Sequence, residues 1–305
     1  MKFLITGGAG FIGSNLAFEL QEKGNEVTIL DDFSSGNFKN LIGFKGDICA
    51  YSLTEKEWME KLSGKYDAIF HQAAITDTTV EDQKKMMQVN VEGFRNILSY
   101  AKTNGIKKIV YASSAGVYGN SSCPMTEASV STPENIYGFS KAIADNVATW
   151  FAKNNPDISV IGLRYFNVYG PREYYKGHAS SMIFQLHNQM IAGKRPRIFK
   201  NGEQMRDFIY VKDVVSANIK ALQSEVSTVV NVGTGVPEDF NKVIECLNKE
   251  LNTKLKTEYF DNPYSFYQNK TQANTQKAKN IIVFKAEYSL ESGISDYVKT
   301  LKLGK

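Results

Sequence analysis

A short apolar run, KFLIT, leads directly into GGAGFIG, and that junction constrains the fold more than any other part of the chain. Gly7, Gly10 and Gly13 form a G-x-x-G-x-x-G series, followed by a helical pattern from about Ser14 to Glu22 that Gly24 stops. Val27–Leu30 then reads as a second strand ending in Asp31-Asp32. Glycine permits the tight turn and lets backbone N–H groups approach a pyrophosphate, and the helix N-terminus adds favourable dipole charge. Phe11 and Ile12 fall inside the same turn and count among its contacts. No Gly-Lys-Ser/Thr follows, so a nucleotide-hydrolysing P-loop is disfavoured.

The strand–helix rhythm repeats. Strands are expected at Phe44–Asp47, Tyr66–His71, Lys108–Ser113 and Val160–Tyr165. Helices are expected at Thr54–Leu62, Thr79–Lys102 and Ser140–Lys153. Such alternation predicts an α/β protein with a doubly wound parallel sheet of Rossmann type, covered on both faces. Past Gly170-Pro171 the rhythm changes, which predicts a smaller mixed α/β substrate-binding lobe. The expected division is a dinucleotide lobe over 1–165, with 208–235 returning to it, and a substrate lobe over 166–207 and 236–305. The chain's 305 residues, 42% hydrophobic and 22% charged, suit this size and class.

The formal net charge is +4 and the basic residues are scattered, so a nucleic-acid footprint is not expected. The three cysteines, Cys49, Cys123 and Cys246, form neither a disulfide framework nor a metal spacing. With no HExxH or CxxC, no metal is expected. With no signal-peptide pattern and no membrane-length apolar run, the cytoplasm is the expected compartment and no membrane partner is expected.

Asp31 lies 18 residues beyond Gly13, where a carboxylate accepts from adenosine ribose hydroxyls, which favours NAD. Lys39 could reach a ribose phosphate, or be a solvated loop lysine, so with Asp32 beside it NADP stays open. Asp47 and Ile48 could flank the adenine. Gln72, Ala73 and Ala74 follow a strand, and small residues there let a cofactor lie close to the chain. Asn90, in the next helix, could touch the cofactor or position a loop.

Ser114 ends a strand, where open parallel sheets bind ligands. Tyr137 follows 23 residues later, and Lys141 stands one helical turn beyond it on the same face. A serine hydroxyl, a phenol and an ammonium can surround one carbinol: the serine orients its oxygen and the tyrosine exchanges its proton. The lysine favours the phenolate and holds a nicotinamide ribose. Bringing a tyrosine from about 10 to about 7 requires about 4 kcal/mol of bias, so the oxidised nicotinamide's positive charge is expected to contribute as well. His71 and His187 read as structural.

At this point GGAGFIG, YASSAGVYG, YGFSK and RYFNVYGPRE resemble the extended short-chain dehydrogenase/reductase superfamily. HQAAITDTT, RYFNVYGPREYYKGHAS, RIFKNGEQMRDFIYVKDV and YQNKTQAN resemble, within it, the nucleotide-sugar epimerases that invert an ADP-linked heptose for lipopolysaccharide. The resemblance implies an isomerase holding one tightly bound NADP or NAD per subunit, with ADP-heptose as substrate. It also implies a homo-oligomer, with five subunits as the expected number. Ser114, Tyr137 and Lys141 match the family's triad, and Lys176 matches its second acid/base. Asn167, Arg206 and Tyr267 match substrate contacts, Arg206 as a guanidinium clamp on the diphosphate. Phe199, Lys200, Asn201 and Gly202 match the nucleotide-binding segment, and Val168 a cofactor contact. His178 and Gln185 stand at substrate-loop positions where the family often carries serine and histidine. The alternatives are a UDP-hexose 4-epimerase, a nucleotide-sugar dehydratase, a simple ketone reductase, or a non-catalytic NAD(P)-binding regulator. Ala115-Gly116 offers no Asp-Glu pair for a dehydratase.

Overall fold

The computed structural model describes residues 1–62, 64–261 and 268–303. Seven parallel strands form its centre: β1 (Lys2–Thr6), β2 (Glu26–Leu30), β3 (Asp47–Cys49), β4 (Ala68–His71), β5 (Lys108–Ser114), β6 (Ser159–Tyr165) and, much later in the chain, β11 (Thr228–Val232). Their spatial order is β11-β6-β5-β4-β1-β2-β3. β4 and β6 are buried at every residue, as expected where both faces of a sheet are covered. The direction of winding reverses between β1 and β4, which opens a crevice at their carboxyl ends.

Helices α1 (Phe11–Glu22), α7 (Val211–Ala221) and α9 (Gln276–Ile281) cover one face. There Leu16, Leu20, Val214 and Phe284 pack against Phe3, Ile5 and Val230. The other face carries α2 (Trp58–Lys61), α3 (Gln83–Met87), α4 (Gly93–Thr103) and α5 (Ile136–Asn154), with a π turn at Gln88–Glu92 between α3 and α4. Trp58, Phe94, Tyr111 and Phe151 fill that core, and burying each large side chain is worth about 2 kcal/mol before entropy is counted.

A third core lies over the crevice, built on α6 (Met182–Ile191), α8 (Phe240–Leu251) and α10 (Leu290–Leu303). Three two-stranded pairs tie this region together: β7 (Asn167–Tyr169) with β10 (Phe208–Tyr210), β8 (Arg197–Phe199) with β13 (Glu258–Phe260), and β9 (Met205–Arg206) with β12 (Glu238–Asp239).

Several boundaries differ from expectation, each for a local reason. α5 begins at Ile136, not Ser140, because the Asn135 side chain accepts from the Gly138 amide at 2.8 Å. Such a cap is worth about 1 kcal/mol, and it places Tyr137 in the first turn. α1 begins at Phe11, with Gly10 as its cap. The strand expected at Phe44–Asp47 is instead Asp47–Cys49, since Phe44 turns back to meet Phe18 edge-on with centroids 6.0 Å apart. The helix expected at Thr54–Leu62 is a single turn at Trp58–Lys61.

β4 ends in His71, which is buried, stacks on Phe94 at 4.9 Å and meets Thr6 Oγ1 through Nδ1 at 2.8 Å. Burial, reinforced by the Lys141 ammonium, pushes its imidazole down to about 3. The unfolded chain therefore takes up a proton near 6.5 that the folded chain refuses. Stability from this group is full above that value and falls as pH drops toward 3, by about 1.4 kcal/mol per unit. Urea unfolding at about pH 7 and pH 5 should show this slope, and His71→Gln should flatten it.

Candidate active site

The glycine turn is a close-packed cradle. Gly7 has φ 68°, and a Cβ there would lie 2.6 Å from the Ala73 backbone. A Cβ on Gly13 would lie 2.2 Å from the Gly7 carbonyl oxygen. Gly10 hydrogen-bonds back to Gly7 at 3.1 Å and caps α1, whose first residues Phe11 and Ile12 line the crevice. Asp31, at the end of β2, is buried within this turn and accepts from the Ala9 amide at 2.8 Å. Close backbone approach, a helix N-terminus and an acidic acceptor one strand away are what a dinucleotide pyrophosphate and ribose need.

The crevice continues into a cavity of about 450 Å³. Ser114, Tyr137, Lys141, Lys176, Asn167 and Arg206 all line it, together with Phe11, Ile12, Gln72, Ala74 and Val168. Residues far apart in sequence thus meet where β4, β5 and β6 end and the third core begins.

Ser114 ends β5 and caps the 3-10 turn Ala115–Tyr118, its Oγ accepting from the Gly116 amide at 3.0 Å. Its nearness to the Tyr137 hydroxyl pulls the phenol's pKa down against a larger upward push from burial. The phenol therefore sits above its ordinary value of 10.0, and burial rather than Lys141 sets that balance. Lys141 is buried, donates from Nζ to the Ala112 carbonyl at 2.8 Å, and lies 5.9 Å from the Tyr137 ring centroid. Burial lowers its ammonium to about 8, with Asp145 one turn further along opposing the change. Asp145 offers only part of its charge, because Arg164 Nε and the Tyr111 hydroxyl each hold it at 2.9 Å.

Lys176 comes from the opposite wall, on the 3-10 turn Tyr174–Ala179. Its Nζ lies 5.7 Å from the Phe11 ring centroid, and burial lowers its pKa against the raising effects of Glu173 and Asp77. Glu173 anchors this turn. It is 1% exposed and accepts from Gly170 N at 3.1 Å, Ser181 N at 2.5 Å and Ser181 Oγ at 2.9 Å. Arg206 on β9 is buried at the cavity wall and donates to the Met205 carbonyl at 2.9 Å. Asn167 opens β7, its Oδ1 accepting from Thr271 at 3.2 Å.

Other candidates lie elsewhere. Asn90 is buried and does not line the cavity. It clips Ile75 through N at 2.8 Å and O at 3.0 Å, and donates to Ser140 Oγ at 2.9 Å, fixing the segment after β4 to α5. Ala73 packs behind Gly7. Asp47 and Ile48 open edge strand β3 and are exposed, rather than closing the preceding strand. Asp32 is exposed, and Lys39 Nζ stands 5.8 Å from the Tyr175 ring centroid. His178 Nε2 meets Asp77 Oδ2 at 2.8 Å, and Gln185 Nε2 donates to the His178 and Ser180 carbonyls at 3.1 and 2.9 Å. Phe199 ends β8 and Lys200, Asn201 and Gly202 follow in the turn, all outside the cavity lining. Phe199 meets Phe260 edge-on at 5.1 Å, Lys200 pairs with Asp261 at 3.3 Å, the Asn201 carbonyl accepts from Asn241, and Gly202 N closes on the Phe199 carbonyl at 2.7 Å. Tyr267 lies outside the described residues.

Glu173, Tyr165 and Ser113 also line the cavity and are not among the site residues expected from the sequence. Glu173 sits inside a motif already noted. Tyr165 donates to Gln72 at 3.1 Å and accepts from Asn218 at 2.9 Å, which holds Gln72 at the cavity wall. Ser113 is 2% exposed, and its Oγ has no hydrogen-bond partner among the described residues. A buried hydroxyl left so costs about 1–3 kcal/mol, which a polar ligand in the cavity would relieve. Among the described residues no group of His, Cys, Asp and Glu could hold a metal ion, and no helix is long and apolar enough to cross a membrane.

A Rossmann-type sheet, a glycine turn and a serine–tyrosine–lysine cluster at its carboxyl edge define a nicotinamide-dependent enzyme of the short-chain dehydrogenase type. The chain belongs to the NAD dependent epimerase/dehydratase family, which it matches over residues 3–233. It is similar to the ADP-L-glycero-D-manno-heptose-6-epimerase of Helicobacter pylori, at 42% identity and a TM-score of 0.91, over 99% of this chain and 96% of that one. It is also similar to the UDP-glucose 4-epimerase of Thermotoga maritima, solved with UDP-glucose, at 29% identity and a TM-score of 0.92, over 100% and 99% of the two chains. MoeE5, solved with UDP-glucose and NAD, is 27% identical with a TM-score of 0.87 over the same shares.

Proposed function

We propose that the protein interconverts ADP-D-glycero-D-manno-heptose and ADP-L-glycero-D-manno-heptose by inverting C6. The observation that carries this reading is the placement of Lys176 and Tyr137 on one cavity, from different elements. The backbone likeness does not separate the two sugar chemistries, since TM-scores of 0.91 and 0.92 are equivalent. Sequence identity does, at 42% against 29%.

Inverting a carbon through a ketone changes the position of its oxygen, so the proton that leaves one alcohol and the proton that forms the next need separate carriers. Bound nicotinamide would supply the redox chemistry, accepting hydride from the carbon and returning it. Gly7, Gly10, Gly13 and the start of α1 would hold its pyrophosphate, and Lys141 its ribose. Tyr137 exchanges the proton of one alcohol while Ser114 fixes that oxygen. Lys176, its ammonium made more acidic by burial, exchanges the proton of the other. Arg206 binds the diphosphate through its planar fork, and Asn167 orients the sugar.

The reading includes a cofactor lobe of 1–165 with 208–235 and a substrate lobe of 166–207 with 236–305. It also includes one tightly held dinucleotide per subunit, a homo-oligomer in the cytoplasm, and a supply of heptose for lipopolysaccharide. A UDP-hexose 4-epimerase is the second reading, favoured by the Thermotoga maritima likeness. Incubation with each ADP-heptose epimer and with UDP-galactose, with product stereochemistry resolved, decides between them. We expect heptose interconversion with no added cofactor. Galactose–glucose interconversion alone would replace the first reading by the second.

A further inference from the structure

Lys176 owes its place in the cavity to one buried carboxylate. Glu173 comes just before the 3-10 turn Tyr174–Ala179, and its carbonyl accepts from the Lys176 amide at 3.0 Å. Its side chain reaches further. Oε1 accepts from the Gly170 amide and the Ser181 hydroxyl, and Oε2 from the Ser181 amide. Gly170 follows β7, and Ser181 caps α6 by accepting from the Phe184 amide at 3.2 Å. One carboxylate therefore ties together the two ends of the loop that carries Lys176.

The same group bears on the charge of the ammonium. All three of these partners donate, which fits an ionised carboxylate, an acceptor only. A buried anion that lines the cavity needs a cation to offset its lost hydration. Arg172 is its neighbour in sequence but turns away to α1, where its guanidinium lies 4.2 Å from the Phe18 ring centroid and donates to Asn15 Oδ1 at 3.1 Å. Lys176 is the cation that feels the carboxylate. Burial pushes the Lys176 ammonium toward losing its proton, and Glu173 opposes that push more than Asp77 does. Asp77, on the segment after β4, is itself bonded to the exposed His178. From α10, Tyr297 stacks on Tyr174 with centroids 6.5 Å apart, and burial keeps both phenols protonated, so neither adds a charge.

We infer that Glu173 is a positioning residue for the second proton carrier: its carboxylate sets Lys176 in the cavity and, by its charge, keeps the proton on Lys176 until the sugar ketone takes it. In that step the ketone carbon takes hydride from the reduced nicotinamide and its oxygen takes the Lys176 proton, which leaves an alcohol and a neutral amine. Run backwards, the neutral amine takes the alcohol's proton. The inference rests on the reading of Lys176 as this carrier, and the test separates the two. Single-turnover oxidation of each ADP-heptose epimer by the holoenzyme is followed as reduced-nicotinamide absorbance from about pH 6 to about pH 10, a span that brackets a lowered lysine. The epimer that needs Lys176 is the one whose oxidation is lost in Lys176→Met. Its rate should rise with pH as the amine becomes neutral. Glu173→Gln, uncharged and of the same length, should move that midpoint down by about one pH unit or more, the scale of an opposite charge removed at close range. The midpoint for the other epimer should not move. A second measurement leaves Glu173 in place and decides the matter if Glu173→Gln fails to fold. Infrared difference spectra of Lys176→Met against the unaltered protein at about pH 6 should show a carboxylate converted to a protonated carboxyl, because the buried anion has lost its cation. Glu173→Gln that slows both epimers alike with neither midpoint moved would overturn the inference, as would an infrared difference without a new carboxyl band. Oxidation of neither epimer, or a Lys176→Met variant that treats both alike, would overturn the underlying reading of Lys176 instead.

Discussion

Tyr137→Phe is expected to lower turnover by about 10²- to 10⁴-fold, the range a positioned proton carrier contributes. The substitution removes one oxygen. Ser114 keeps its hydrogen bond from the Gly116 amide, and α5 keeps its Asn135 cap. Melting temperature and bound-dinucleotide content should therefore stay close to those of the unaltered protein. The loss should appear in kcat more than in KM, since the phenol acts on a proton in transit rather than on the diphosphate. The phenol is buried and held above its ordinary value, so the resting enzyme keeps it protonated at neutral pH. The neighbouring Lys141, lowered to about 8, changes charge as pH rises through that value. A variant that turned over at the full rate would remove Tyr137 from the chemistry.

Lys176→Met should lower epimerisation by a similar factor of about 10² to 10⁴, with a different signature. Tyr137, Ser114 and Lys141 remain intact, so one of the two substrate epimers should still be oxidised in a single turnover. Reduced-nicotinamide absorbance would then rise with that epimer and not with the other. Methionine keeps an apolar chain of similar length near Phe11, and the hydrogen bonds by which Glu173 holds the turn do not involve the ammonium. The fold should survive. A 4-epimerase that rotates its ketose at a single base would keep its rate without Lys176, so full activity here would favour that reading.

These two residues also show what the sequence discloses. The glycine turn and the Tyr137–Lys141 spacing are local features, set by one turn and one helix, and they need no knowledge of the rest of the chain. Lys176 and Arg206 are different. Nothing in their own surroundings separates them from surface cations, and only family resemblance marked them. They reach the cavity because β7 and β9 carry the chain over the sheet's carboxyl edge and Glu173 folds the intervening turn inward. Asn90 illustrates the reverse case. Its position left cofactor contact and loop positioning both open, and three hydrogen bonds make it a clip between Ile75 and Ser140, a long-range pairing that no periodicity encodes. Ser113 was visible beside Ser114, yet its interest comes from the absence of a partner for its buried oxygen among the described residues. A parallel sheet covered on both faces was implied by the alternating pattern, whereas helix starts were decided by single caps such as Asn135.

The account stands on one event: a sugar carbon gives up its hydrogen inside the closed site and takes the same one back on its other face. ADP-heptose carrying deuterium at C6, incubated in ordinary water with the purified protein and no added cofactor, follows that hydrogen. We expect the inverted product to keep its deuterium at C6 at every stage of the approach to equilibrium. Replacement of that deuterium by solvent hydrogen in step with inversion would contradict the account, because the carbon would then have exchanged a proton rather than a hydride.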